Sequence, residues 1–392
     1  MRNGNLTLIA KSYIWTLRVR PPWLRAVILV LIVRFTFFAI AVAASMLLNP
    51  SSTGRATLAQ TWGHYDALHY LEISRVGYSS PIGDPNNTAF FPLFPLLIRA
   101  FSSLGLNAVV AGLMISTAAS VVAAVYLFRL ADEDAGPGAG SLAVLYLLFF
   151  PTAVYLCAPY TEALFLAGAI PAFYYARCKR WPLAAIGAAV ATGTRVTGVF
   201  LLLGLFVEFL RQRDLAIRKA AMALASLAVG ALPLIGYTLY LEIIRGSPVD
   251  FLIAQRLGWN HEFTSPVTVF LATWSVFWEG RLGNLPVAGG VRLLWFGELA
   301  AAGLGVAFTV WAIRKCEWGY AIYMGSLMAV LLVNGPTYVS IPRYLLALFP
   351  VPLFQAEATR GRPLAAQALL AFEAPLATLG LLIYTLGTAW FY

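Results

Sequence analysis

Between Trp62 and Pro95 the chain gathers an acid, two of its three histidines and a run of aromatics in its most polar stretch, WGHYDALHYLEISRVGYSSPIGDPNNTAFFPLFP. Asp66 stands among Trp62, Tyr65 and Tyr70. A carboxylate partly shielded by aromatic rings takes up a proton more readily than a solvated one, which suits it to general-base work. If residues 66–78 are helical, then at about 100° per residue Trp62, Asp66, His69, Tyr70 and Ile73 fall within roughly a third of the circumference. Trp62, His69 and Tyr70 are therefore expected to touch a substrate brought to Asp66. His64 points away from this face and reads as structural. His64, Asp66 and His69 together do not form a strong metal-ligand spacing, so neither a metal nor another cofactor is expected.

A second set of residues suits anion binding. Arg195 lies at the tip of TGTRVTG, between two apolar runs too short to cross a bilayer core of about 30 Å. A guanidinium in that layer needs an anionic partner, which is either Glu162 in PYTEALF or a phosphate. Arg343, after Pro342 in NGPTYVSIPRY, faces the choice between a phosphate and anchoring at the membrane interface. His261 is the remaining titratable candidate for substrate contact and stands alone in a long loop.

The elements carrying these groups belong to a membrane. Of the 392 residues, 60% are hydrophobic and 11% charged, against about 25% charged in soluble domains. Mean hydropathy is +0.77. Apolar runs recur to the end of the chain, so a single integral-membrane domain over 1–392 is expected. About eleven spans are read at 26–48, 107–129, 140–157, 162–177, 182–194, 196–210, 219–244, 291–313, 318–334, 343–357 and 364–389. Residues 89–105 are re-entrant or lie at the interface. The catalytic loop covers about 49–105 and a second, Trp-rich loop about 245–290.

With the N-terminus cytoplasmic, 17 of the 27 basic residues, every lysine among them, fall on the cytoplasmic side. The nine on the outer side are all arginine, the side chain fitted to forked recognition of phosphate. The net charge of +10 follows from topology and implies no nucleic acid. The three cysteines are far apart and are not expected to form a disulfide. No phosphate-binding glycine loop, Ser-His-Asp order or Cys-x-x-Cys occurs, so nucleotide-driven chemistry has no support.

Three ordered motifs carry a resemblance. YDALHYLEISRVGY (65–78), AFFPLFP (89–95) and YTEALF (160–165), with IPRY (341–344) matching more loosely, resemble the PIG-V family of mannosyltransferases. That family adds a mannose during glycosylphosphatidylinositol synthesis and belongs to the GT-C class of multi-spanning glycosyltransferases. The resemblance implies an all-α polytopic fold with juxtamembrane helices in the first outer loop. It implies Asp66 as the catalytic base, with His69, Phe90, Phe91 and Pro92 shaping the site and Glu162 matching the family's Tyr-Ser-Glu. The family's Trp-Asp pair is Tyr65-Asp66 here.

The expected activity is inverting transfer of one mannose from a polyprenyl-phosphate donor to a lipid-linked or glycan acceptor, among membrane lipids on the non-cytoplasmic side. Asp66 is the base, and Arg195 and Arg343 receive the leaving phosphate. The membrane is a bacterial or archaeal plasma membrane, or the endoplasmic reticulum in a eukaryote. A glycan ligase or polymerase would share the long loops and arginines. A lipid-linked-sugar transporter would call for inverted repeats and charges at mid-membrane, and no repeat is visible.

Overall fold

The computed structural model describes residues 22–48, 58–78, 83–212, 216–282, 285–286 and 289–387. The basic segment before residue 22, Arg55 and Arg213 lie outside these. The first apolar run forms α1 (Pro22–Leu48). The loop after it folds as α2 (Leu58–Trp62), α3 (Asp66–Val76), a 3-10 turn at Pro85–Ala89 and α4 (Leu93–Ser103). Asp84 caps the turn, its side chain accepting from Asn86 N at 2.8 Å. At about 1.5 Å per residue, α4 is too short to cross a bilayer, in line with an interfacial or re-entrant segment. Arg99 fastens it to the end of α3 by donating to Ser74 O and Arg75 O at 2.8 and 3.0 Å.

α5 (Ala108–Asp134) begins at Asn107, whose side-chain oxygen accepts from Val109 N. Where one span was expected over 140–157, the chain forms α6 (Ala139–Leu148) and the short α7 (Val154–Cys157). Pro151 offers no N–H and disfavours helical backbone at the residue before it, so the helix breaks there. α8 (Glu162–Arg177) and α9 (Trp181–Thr194) cross where Gly168 meets Gly187. A Cβ on either glycine would lie within 2.6 Å of the other's carbonyl oxygen, so only small residues permit this approach. α10 (Gly198–Arg211) completes the expected hairpin with α9, and Arg195 sits at its break.

α11 (Ile217–Arg245) leads into the second long loop, which holds α12 (Asp250–Trp259), α13 (Pro266–Glu279) and a two-residue ladder, β1 (Arg281–Leu282) antiparallel to β2 (Leu285–Pro286). α14 (Gly289–Arg314) and α15 (Trp318–Leu331) follow. The expected span over 343–357 is also two helices, α16 (Ile341–Ala347) and α17 (Pro350–Thr359), because Pro350 starts a new first turn. α18 (Pro363–Thr385) ends the described chain.

Among the described residues, α1, α5, α11, α14 and α18 are long and apolar enough to cross a membrane. The shorter apolar helices pack among them, giving an all-α, multi-pass membrane protein. At the end away from Asp66, Arg177 bonds Asp134 and Glu317 at 2.6 and 2.5 Å, pinning α8 to α5 and to the start of α15.

Candidate active site

Asp66 is the first residue of α3. Tyr65 before it has φ 54°, a left-handed conformation costly for a non-glycine residue, and it turns the chain sharply. That turn separates α2 from α3, so Trp62 does not share the helical face expected of it. Trp62 is instead 1% exposed, stacked on Phe38 with ring centroids 6.3 Å apart, and Tyr384 donates to its carbonyl at 2.8 Å. It belongs to the core and lines neither cavity beside Asp66.

Four charged side chains converge from α3, α8, the α9–α10 break and α16. Arg343 donates from Nη1 to Asp66 Oδ2 at 2.6 Å and from Nε to Glu162 Oε1 at 2.5 Å. Arg195 donates from Nη1 to the same Glu162 oxygen at 2.6 Å and to Thr161 Oγ1 at 3.2 Å. Thr161 in turn bonds the Tyr70 hydroxyl at 3.1 Å. The Arg343 guanidinium lies 4.8 Å from the Tyr155 ring centroid and 4.7 Å from that of Tyr160, and aromatic faces favour a cation there. Glu162 is fully buried, whereas the Asp66 side chain keeps 17% of its exposure.

The two acids and two guanidiniums sum to zero charge. Arg195 therefore finds its partner in Glu162, one of the two expected, and Arg343 is engaged by two carboxylates rather than left open at the interface. Burial, with the Asp66 charge adding to it, pushes the Tyr70 phenol well above its usual range, so its hydroxyl stays protonated.

Two cavities meet at this cluster. The first, about 640 Å³, is lined by Asp66, Tyr70, Phe90, Phe91, Arg195, His261 and Arg343, among others. Burial lowers the His261 imidazole below its usual range, so it faces the cavity neutral at pH 7. The second cavity, about 780 Å³, lies across α3 and takes Asp66, His69, Glu72 and Arg75 together with Leu68, Leu71 and Val109. Arg343 engages Asp66 through Oδ2, and Oδ1 makes no protein hydrogen bond among the described residues. Arg195, which also lines the first cavity, spends only Nη1 on protein hydrogen bonds among the described residues.

Sequence reasoning missed two contributors. Trp259, within the Trp-rich second loop, lines both cavities. Glu298 on α14 accepts from Ser340 N and Ile341 N, both at 2.8 Å, at the start of α16. Ser340 has φ 64° and provides no side-chain cap, so Glu298 does the capping at the start of α16, the helix that carries Arg343. Glu298→Gln keeps one acceptor and turns an amide N–H toward a backbone N–H. Turnover is expected to fall roughly tenfold, equivalent to about 1.4 kcal/mol, as measured on purified protein; an unchanged rate would show that Arg343 is held without it.

The crystal structure of ArnT from Cupriavidus metallidurans bound to undecaprenyl phosphate is similar to this chain at a TM-score of 0.53. The similarity covers 91% of this chain and 76% of that one at 13% identity, a likeness of fold. No curated protein sequence matches the chain. The arrangement is that of a GT-C membrane glycosyltransferase. The family model for mannosyltransferase (PIG-V) matches residues 23–223, and the chain belongs to that family, as its three ordered motifs implied. The match takes in Asp66, Phe90, Phe91, Glu162 and Arg195; His261 and Arg343 lie beyond it.

Proposed function

We propose that the enzyme moves a mannose from a polyprenyl phosphate to the hydroxyl of a lipid-linked or glycan acceptor, with inversion, on the non-cytoplasmic side. The observation that carries this reading is Asp66, placed where an arginine-lined cavity meets a second, amphiphilic one. The donor phosphate occupies the first cavity against Arg195. The acceptor enters from the second, where Glu72, His69 and Arg75 meet sugar hydroxyls and the leucines meet its apolar part. The acceptor oxygen attacks the anomeric carbon as its proton passes to Asp66 Oδ1. The bond from that carbon to the phosphate oxygen breaks, and the polyprenyl phosphate leaves with the electron pair.

Arg343 holds Oδ2 and so aims the carboxylate, while Arg195 takes the developing phosphate charge. Each such charge-assisted bond contributes about 1.5–3 kcal/mol. The polyprenyl carrier is supported by the undecaprenyl phosphate of the structural neighbour, and mannose by the family. The outer location is supported by the lysines: Lys179 and Lys315 lie between helices and Lys219 in the first turn of α11, all at the end remote from Asp66, and Lys11 precedes residue 22.

Purified enzyme given labelled polyprenyl-phosphate mannose is expected to transfer the label to membrane lipid extract, and to do so at an unchanged rate in EDTA. A single leaving phosphate carries less charge than a nucleotide diphosphate, and fixed guanidiniums can neutralise it. Loss of transfer in EDTA with recovery on adding a divalent ion would overturn the metal-free mechanism. No transfer from this donor under any condition would overturn the donor.

A further inference from the structure

Asp66 and Trp259 are the two residues common to the linings of both cavities. The wall between the cavities is built from stacked rings. Phe90, which lines only the first, lies on His69, which lines only the second, with centroids 4.6 Å apart and planes 18° from parallel. The indole of Trp259 meets both edge-on, 5.3 Å from Phe90 and 5.6 Å from His69. His69 is fixed in turn by Asn87 Oδ1, 2.8 Å from Nδ1, and Asn87 donates to Glu72 at 2.9 Å.

Trp259 is held in that position by its own helix. It is the last residue of α12, and Asn260 caps the helix with φ 59°, donating to Arg256 O at 3.0 Å. At Gly258 a Cβ would stand 3.3 Å from Asn86 Cγ, so α12 packs closely on the 3-10 turn of the first loop. The two long loops are thus joined where the indole stands.

Resting on the transfer reading above, we infer that Trp259 is a specificity-determining residue: it bears the apolar face of the migrating pyranose and closes the junction at Asp66 to water. A partly buried indole offers a broad uncharged surface for ring C–H groups, and its N–H can meet a hydroxyl. Without it the junction widens. Water then replaces the acceptor: its oxygen bonds to the anomeric carbon, one proton goes to Asp66, and free mannose and polyprenyl phosphate form.

The test compares Trp259→Phe, Trp259→Leu and Trp259→Ala with wild type. Labelled polyprenyl-phosphate mannose is supplied with lipid extract from cells lacking the enzyme, and label is followed into free mannose and into mannolipid. Wild type and Trp259→Phe are expected to share one low ratio of hydrolysis to transfer. Trp259→Ala and Trp259→Leu are expected to raise that ratio about tenfold. If Trp259→Ala does not fold, Trp259→Leu, which keeps an apolar side chain, carries the comparison. A wild-type ratio in the variants that fold would make Trp259 an interfacial anchor only and overturn the inference. Failure of the transfer reading has a different signature, no consumption of donor by wild type.

Discussion

Asp66→Asn is expected to lower turnover by roughly 100- to 10,000-fold, the usual contribution of a positioned general base. Asparagine keeps the shape of the side chain and an oxygen for Arg343 Nη1, but it cannot take the acceptor's proton at pH 7. Arg343 retains its second bond, to Glu162, so its charge is not stranded. The loss should therefore fall on kcat, with donor binding in the first cavity no weaker than wild type, because the cluster is left with one net positive charge. Asp66→Glu tests reach: the added methylene moves the carboxylate away from Arg343, and a partial return of rate would mark proton transfer as the step affected. Turnover of Asp66→Asn within a few fold of wild type would remove Asp66 as the base.

What the sequence made legible was local. Helical period and polarity marked α3, with its acid and imidazole one turn apart, and the apolar run over 162–177 coincides with α8. Arg195 at the tip of a short hairpin required an anion by the cost of a buried guanidinium, and Glu162 was one of two partners named. Long-range pairing was not legible. Arg343 and Asp66 are 277 positions apart, and no spacing rule reaches across such a distance.

Trp62 was misplaced because a helical face was extended through Tyr65, whose left-handed backbone ends the period. The spans over 140–157 and 343–357 were read as continuous because their mean apolarity hides Pro151 and Pro350. Trp259 gave no signal of its own, since an aromatic in an outer loop fits a bilayer boundary as well as a cavity wall. Glu298 was hidden for a related reason. Its partners are backbone N–H groups, which every residue carries.

Glu162→Gln is expected to cost about 3–5 kcal/mol of stability, the range for breaking a buried ion pair from one side. One oxygen of this fully buried side chain accepts from both Arg195 and Arg343. Glutamine can still offer an oxygen, but the charge that allows two guanidiniums to approach a single atom is gone. With only Asp66 left as an acid, the cluster carries a net positive charge in a poorly hydrated place. The same excess charge favours an anion. Polyprenyl phosphate should therefore raise the Tm of Glu162→Gln more than that of wild type, because ligand binding to the folded state adds stability by mass action.

The double variant Glu162→Gln, Arg195→Gln returns the cluster to neutrality and should recover part of the lost stability, giving a non-additive cycle. Thermal unfolding of the four proteins, with and without polyprenyl phosphate, checks both expectations. A Tm for Glu162→Gln equal to wild type would mean that the arginines find other acceptors, and that Glu162 does not hold the site together.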